Sequence, residues 1–455
     1  MGVTTLMNDR FSACVAALLE SLRQRFCADE FIARHRARSV DFTRQRQLTF
    51  PVIMLFTLQK TAKSLQRHLH EFFNELAGGE VFEPVTTSAW THARAKLKST
   101  AFIELNRDCV VPAIYSHAPV FDVQRWHGHR LLGLDSSVVR LPNGPDMLAQ
   151  FTPVEGSNNH GKTGTNYPEG RVSVVYDLLN RVALDGRLEP SSLGEVDLAI
   201  EQLAHAARGD VTLFDRGFTG YRFLAWHHHR GVQYVGRCSS GSFAAAQELF
   251  RKNRAKRSLV VRLCAPPHQR EDLRQLGLPL ELVVRFVSVR LSTGELEVLV
   301  TSLLDEEKYP TQEFGVLYHR RWDHETFYGL MKGRLELENF SGQTPEAVRQ
   351  DFHSTLLLCN LETVLTASTN AALQAQSRTD EHPKQVNRAV SFHALKHELV
   401  PLLYSELPTQ AVIAKLQAWF MGAPVSVRPH RKVPRRTFSF ARSYHFLRRI
   451  KKAIF

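Results

Sequence analysis

Apolar residues recur at helical spacing through the first quarter of the chain. Leu18, Leu19, Leu22 and Phe26 share one side of a helix. Phe56, Leu58, Leu65, Leu69, Phe72 and Leu76 keep the same period until Gly78-Gly79 ends it. TTSAWTHARAKLKSTAFIEL, residues 86–105, predicts two short helices joined by a tight turn. Thr86, Thr87 or Ser88 caps the first, which carries Trp90, Ala93 and Leu97 on one side and His92, Arg94, Lys96 and Lys98 largely on others. The second starts at Ser99 or Thr100. Arg94 and Lys96 are thereby candidate contacts to a DNA backbone or groove, although a helical hairpin that only packs would show the same pattern.

From residue 131 the pattern becomes that of strands. LLGLDSSVVRL (131–141) is apolar up to Asp135 and again after Ser137, as expected of a buried strand with one acid inside it. A buried carboxylate needs a partner or a metal. Residues 142–168, rich in Asn, Gly, Thr and Pro, read as a loop. RVSVVYDLL (171–179) and RVALDGRLE (181–189) predict a hairpin turning at Leu179-Asn180. A helix over 192–207 opens with Ser191-Ser192 and Glu195 at capping-box spacing. In VTLFDRGFTGYRFLAW (211–226) a short apolar strand ends at Asp215, Gly217 and Gly220 surround the turn, and a helix follows. Open α/β sheets place their sites at such carboxyl ends, though an ordinary Asp in a strand-to-helix turn looks alike. His227, His228 and His229 diverge on a helix and read as surface, not as a metal site. GVQYVGRC (231–238) is another strand. Between 239 and 313, SLVVRLCA, LELVVRFVSVRL and LEVLVTSLLD predict three strands of a small β subdomain, preceded by the basic run RKNRAKR (251–257). A helix over 343–368 is opened by Thr344-Pro345.

The densest chemistry lies in GVLYHRRWDHETFYGLMKGRLELENFSG, residues 315–342, where no proline occurs and the first two-thirds reads as a helix. At about 100° per residue, Tyr318, Arg321, Glu325 and Lys332 fall within roughly 60° of one another. Val316, Phe327, Leu330 and Met331 collect opposite, where a core would take them. One face thus offers a phenol and two cations, suited to phosphate oxygens, and a carboxylate, suited to a metal ion. The plain alternative is a solvated helix with an Arg321–Glu325 pair. Arg before Glu is the less favourable order for such a pair, and Asp323 sits near the apolar side.

Bulk composition adds a partner class. The 455 residues are 43% hydrophobic and 23% charged, ordinary for a globular protein, but the net charge is +13, which favours a polyanionic partner. From Val425 to Phe455 there are ten Lys and Arg residues and no acid, densest in RPHRKVPRR (428–436). That tail predicts a flexible phosphate-binding arm including Arg435 and Arg436, or else a merely solubilising one. Six scattered cysteines without CxxC spacing point to free thiols in a reducing, cytoplasmic setting. Asp9, Arg10 and Glu20 break any signal-peptide pattern, and no apolar run approaches the roughly 18 residues of a membrane span.

The element order is strand with Asp135, strand, strand, helix, strand ending at Asp215, helix, strand, inserted β unit, then the helix with Glu325. That order predicts a mixed α/β sheet flanked by helices and looks like the ribonuclease H–like fold. Tyr318-x2-Arg321-x3-Glu325-x6-Lys332 matches without a gap the Tyr-Arg-Glu-Lys signature of DDE transposases of insertion-sequence family 4. LLGLDSS resembles that family's first-Asp strand, and LFDRGFTGY its second-Asp motif. LVTSLLDEEKYPTQEFGVLYHRRWDHETFYGLMK and LELENFSGQTPEAVRQ resemble its wording beyond the catalytic residues, SAWTHARAKLKSTAF its N-terminal helical motif, and RPHRKVPRR its basic tail. The likeness spans about 86–436.

The resemblance implies a ribonuclease H–like core over 126–238 and 314–370, with an inserted β subdomain at 239–313. A helical DNA-binding region would fill 1–125, and a helical and basic region serving DNA contact or dimerisation would fill 371–455. It implies that Asp135, Asp215 and Glu325 bind two Mg²⁺ ions, with Mn²⁺ as a substitute. Tyr318, Arg321 and Lys332 would hold the phosphate beside the cut, and Arg216 and Gly217 flank the second acid. The implied partners are double-stranded DNA, as inverted-repeat ends and as target, and a second copy of the chain in a synaptic dimer; no membrane is implied. The implied setting is a bacterial cytoplasm, on the nucleoid when bound to DNA. A catalytically inactive, transposase-derived DNA-binding protein is the alternative, and a nuclease without strand transfer a third. Some relatives excise through a DNA hairpin and stack a tryptophan of the inserted β unit on a flipped base. Residues 239–313 contain no Trp, and Phe243, Phe250 or Phe286 would have to offer that face.

Overall fold

The computed structural model describes residues 2–44, 46–60, 64–78, 80, 83–154, 167–253, 257–291, 294–405 and 408–428. The chain divides into two compact units, neither contiguous in sequence: 1–123 with 139–170 and 331–455, and 124–138 with 171–330.

Nine strands among the described residues make one mixed sheet: β1 (Leu131–Arg140), β2 (Thr152–Val154), β3 (Tyr167–Asp177), β4 (Val182–Pro190), β5 (Val211–Phe214), β6 (Gln233–Arg237), β7 (Ser258–Cys264), β8 (Glu281–Arg290) and β9 (Leu296–Thr301). Their order is β2-β3-β1-β5-β6-β9-β8-β7, with β4 also paired to β3. β1, β5 and β6 run parallel, whereas β6, β9, β8 and β7 alternate in direction. The inserted strands therefore continue the central sheet beyond β6 and do not form a sheet of their own. Their composition explains this: Phe286 and Val287 of β8 and Val298, Leu299 and Val300 of β9 are buried on both faces. β5 and β6 approach closely, because a Cβ on Gly236 would stand 2.1 Å from the Phe214 ring.

Two local readings change in this second unit. The helix Glu195–Gln202 begins after Gly194, whose position carries no side-chain cap. Glu195 instead accepts the Ser136 hydroxyl (2.8 Å) and pairs with Arg171. On the helix Tyr221–Arg230, His228 and His229 are exposed as expected, but His227 is fully buried. Its ring nitrogens meet the Phe223 carbonyl and the Thr212 hydroxyl, both at 2.8 Å. Burial drops its pKa to about 4, so it stays neutral.

The first unit is built round the helix Pro345–Gln376, opened by Thr344, whose hydroxyl accepts the Ala347 N–H at 3.3 Å. Helices Phe50–Gln59, Thr100–Leu105 and Thr409–Gly422 pack on it, and a two-stranded ribbon, β10 (Lys384–Val386) with β11 (Pro424–Ser426), lies in the same unit. The stretch 142–168 is not all loop, since it holds the short helix Pro145–Gln150 and β2. Thr86 caps the helix Thr87–Arg94 through the Ala89 N–H (3.1 Å), and Trp90, Ala93 and Leu97 are buried as their spacing predicts. Arg94 is a correction. It is only 4% exposed, and its guanidinium bonds to Gln350 (2.7 Å), Ser341 (2.6 Å), the Ala347 carbonyl (2.7 Å) and Asp351 (2.8 Å). Four of its five N–H donors are spent inside the protein, and burial keeps the group from a phosphate. Burial alone would raise the Asp351 carboxyl, but Arg94 together with Lys60 and Ser341 outweighs it and holds the carboxyl below the usual range. Among the described residues no helix is long and apolar enough to cross a membrane.

Arg94→Ala should therefore destabilise the protein by about 3–5 kcal/mol, because it strands the Asp351 carboxylate in the core. A surface phosphate contact would lose well under about 1 kcal/mol. Denaturant unfolding of the variant separates the two.

Candidate active site

Two neighbouring strands and one helix carry the acids. Parallel pairing sets Gly133 opposite Leu213, and two residues further along the chain from each stand Asp135 and Asp215. β5 stops at Phe214, so Asp215 lies in the turn. Its carboxylate accepts the Gly217 N–H (2.8 Å) and its carbonyl accepts the Thr219 hydroxyl (3.3 Å). Asp135 remains inside β1, its carboxylate accepting the Ser136 N–H (2.8 Å) and its carbonyl accepting the Tyr328 hydroxyl (2.8 Å). The helix Trp322–Gly329 covers this part of β1 through His324, whose Nδ1 would be 2.7 Å from a Cβ at Gly133. His324 is fully buried, with its ring centroid 4.9 Å from that of Tyr328 and 5.7 Å from that of Tyr176. Glu325 is the next residue.

The single helix expected from residue 315 is interrupted. Helices Glu313–His319 and Trp322–Gly329 are separated by a tight turn in which the N–H groups of Arg320, Arg321, Asp323 and His324 bond three residues back. A π-helical turn, Leu330–Arg334, follows. A constant 100° per residue therefore fails across the motif. Val316 is 72% exposed and not in the core, whereas Tyr318 is 4% and Arg321 7% exposed. Phe327, Leu330 and Met331 are buried as their spacing predicts. The Tyr318 hydroxyl donates to the Phe214 carbonyl at 3.3 Å, at the end of β5. Arg321 donates from Nη2 to Glu325 Oε1 at 2.9 Å, and its Nη1 lies 3.9 Å from Asp135 Oδ2. Its Nε is buried with no hydrogen-bond partner.

The electrostatics follow from burial among charges. Burial raises the Asp135 carboxyl to about 6, and Asp215 and Glu325 push the same way; the Ser136 N–H and Arg321 oppose them. Burial, reinforced by Arg321, lowers His324 to about 3, so its ring is neutral. Burial raises the Tyr318 phenol, which stays protonated. Beside it, Arg237 at the end of β6 pairs with the buried Glu297 of β9 (3.1 Å). Burial raises Glu297, and Arg237 and Arg321 counter it.

As a donor set, three carboxylates suit an oxygen-preferring divalent cation such as Mg²⁺ or Mn²⁺ and not zinc. In this conformation no three His, Cys, Asp or Glu side chains among the described residues are grouped as metal ligands. The positive charge beside Asp135 and Glu325 is that of Arg321.

The remaining predicted residues lie elsewhere. Lys332 falls in the π turn within the first unit, half-buried; burial lowers its pKa, opposed by Glu338 and Glu169. Arg216 is exposed beside Asp215, and Lys96 is half-buried. Arg435 and Arg436 lie outside the described residues. His324, Tyr328, Arg237 and Glu297 were missed. The one local hint was Gly133, a residue of no bulk two places before the first acid, matched by an imidazole one place before the last.

Residues 126–361 match the family described as "Transposase DDE domain". The chain is 26% identical over 351 residues to the transposase InsG for insertion sequence element IS4 of Escherichia coli (strain K12), a match covering 73% of each. Among solved structures it is similar to a cryo-EM structure of the piggyBac transposase synaptic complex with hairpin DNA. The TM-score there is 0.44 and the identity 11%, over 88% of this chain and 85% of that one.

Two outcomes test the geometry. The Asp135 carboxyl titrates near 6 folded against about 3.9 unfolded, so the native state holds the proton more tightly and loses stability as pH rises between those values. Asp135→Asn should then stabilise the protein by about 1–3 kcal/mol at pH 7.5 in chelator, and the gain should vanish below about pH 4. Gly133→Ala should destabilise by about 1–3 kcal/mol through overpacking against His324, and His324→Ala should relieve part of that loss. Additive losses in the double variant would show that the two do not touch.

Proposed function

Because this chain belongs to the family of transposases that carry the DDE domain, we propose that it is the transposase of an insertion sequence, cutting DNA at the element's ends and joining the freed 3′ hydroxyl to target DNA. The observation that carries the reading is geometric: Asp135 and Asp215 lie equal steps beyond the paired Gly133 and Leu213, and Arg321 reaches both Glu325 (2.9 Å) and Asp135 (3.9 Å). One acid inside β1, one in the turn after β5 and one on a helix are thereby brought towards one neighbourhood, beside the carboxyl end of β5. A ribonuclease H–like core, with cut-and-paste movement, is the fold and pathway that fit this arrangement.

Asp135, Asp215 and Glu325 would hold two Mg²⁺ ions, replaceable by Mn²⁺, which when bound polarise the scissile phosphate and the attacking oxygen. Water adds to that phosphorus and the 3′ oxygen leaves, and the new 3′ hydroxyl then displaces a 3′ oxygen of the target strand. Arg321 would bind the non-bridging oxygens, where charge grows in the transition state, and the Tyr-Arg-Glu-Lys spacing gives Lys332 a phosphate-binding role as well. Tyr318, its phenol protonated and anchored to β5, walls the site beside them. Arg216, exposed next to Asp215 in sequence, would offer a further phosphate contact. The substrate is double-stranded DNA bearing inverted-repeat ends, and two ends call for two copies of the chain. Residues 1–125 and 371–455 would add DNA contacts, with the net charge of +13 supplying the general attraction.

Asp135→Ala, Asp215→Ala and Glu325→Ala should each cut the rate of end nicking by about a thousandfold or more, the scale of losing one member of a catalytic unit. Their affinity for the same duplex in a gel-shift assay should hold within about twofold, since removing negative charge does not weaken phosphate binding. A variant that nicks at the normal rate removes that acid from the site. Binding without nicks by the unaltered protein would make it a DNA-binding relative only.

A further inference from the structure

The same guanidinium that the proposed reaction assigns to DNA lies here among the carboxylates assigned to metal. Arg321 is bonded to Glu325 at 2.9 Å and lies 3.9 Å from Asp135. Those are two of the three acids that would ligate an ion. We propose that Arg321 is the resident cation of the carboxylate site, closing it to divalent metal until a DNA phosphate draws the guanidinium away, so that metal and DNA load together. The inference rests on the metal-binding reading of the three acids and adds to it an order of events.

Three features carry it. First, the arrangement is a partial one. Guanidinium offers five N–H donors in a planar fork, yet at Arg321 only one hydrogen bond reaches a site carboxylate, Asp135 is held by charge alone, and the buried Nε has no partner. A phosphate, with several acceptor oxygens, would satisfy more of the fork than the carboxylates do. Second, a divalent ion among these acids would sit within a few ångströms of a positive charge that cannot lose its proton. Ion and guanidinium therefore compete for the same two carboxylates. Third, the guanidinium has somewhere to go. Its Cζ lies 5.2 Å from the ring of Trp322, which is 43% exposed, so the guanidinium borders a side chain that reaches the surface. The tight turn at Arg320–Arg321 leaves the residue at a junction of two helices and not inside one.

Competition has a reciprocal consequence. If DNA tightens metal binding by some factor, metal tightens DNA binding by the same factor. Arg321→Gln keeps much of the length of the side chain and removes the charge, while Arg321→Lys keeps the charge.

The test is Mn²⁺ titration of the full-length protein, followed by the electron paramagnetic resonance of free Mn²⁺, with and without a duplex carrying the ends of its own element. Without DNA, Arg321→Gln should bind Mn²⁺ at least about tenfold more tightly than the unaltered protein. Asp135→Asn placed on Arg321→Gln should remove the gain, and Arg321→Lys should resemble the unaltered protein. In the unaltered protein, DNA should tighten Mn²⁺ binding at least about tenfold, a measurement that needs no variant to fold. If the unaltered protein binds Mn²⁺ equally well with and without DNA, and Asp135→Asn abolishes both, the acids bind metal but Arg321 does not bar it. If Mn²⁺ binds in no form, with DNA or without, the metal-binding reading itself fails.

Discussion

The site depends on the register between β1 and β5. Side chains alternate along a strand, so a slip of one residue would turn Asp135 to the opposite face of the sheet. The register is fixed before either acid is reached. Arg130 and Asp210, each one place before its strand, form a two-point pair at 2.9 and 2.5 Å. The Val211 N–H bonds to the Arg130 carbonyl at 2.9 Å, and His129 to the Gly209 carbonyl at 2.6 Å. From that clamp each strand runs five residues to its acid, and extended chains of equal length end level. Glycines secure the third dimension. Gly133 lets His324 settle on β1, and Gly236 lets Phe214 lie flat against β6.

Placing several charges at such a sheet end creates a conflict that the helical segment resolves. Asp135 is pushed towards its neutral form by burial and by its neighbours, and a buried carboxylate must find compensation or take a proton. Arg321 supplies the compensation, but only because the helix tightens at Arg320–Arg321 and the residue turns inward. An unbroken α-helix would instead have kept Val316 on the core side and the polar quartet outward. The interruption is thus what converts a surface pattern into a site.

The parts legible in the sequence were those with local causes. Asp135 and Asp215 each interrupt or end an apolar run, which marks them as strand acids without knowledge of any partner. Thr86 and Thr344 announce the starts of their helices through bonds spanning three residues. What escaped had distant causes. The partner of Arg94 is Asp351, 257 residues away, so nothing near Arg94 distinguishes a buried ion pair from a surface cation. His227 looks like its two exposed neighbours until Thr212 and Phe223 are seen around it. Glu195 had the spacing of a cap but is claimed by Ser136 and Arg171. The strands β7–β9 read as a separate unit because the edge they extend, β6, precedes them by a helix and a basic run.

The identity of residue 321 follows from the same argument. Burial lowers the pKa of a lysine, as it does that of the half-buried Lys332, and a lysine buried more deeply can shed its proton. Arginine has no such escape, because its guanidinium stays charged at any pH the fold survives. A 7% exposed arginine must always have an anion beside it. On the proposed reading two kinds meet there in turn, carboxylates of the chain and phosphates of a bound strand. That restriction couples the two. Whatever takes Asp135 and Glu325 away from Arg321 increases the need of that guanidinium for phosphate, and phosphate in turn frees the carboxylates.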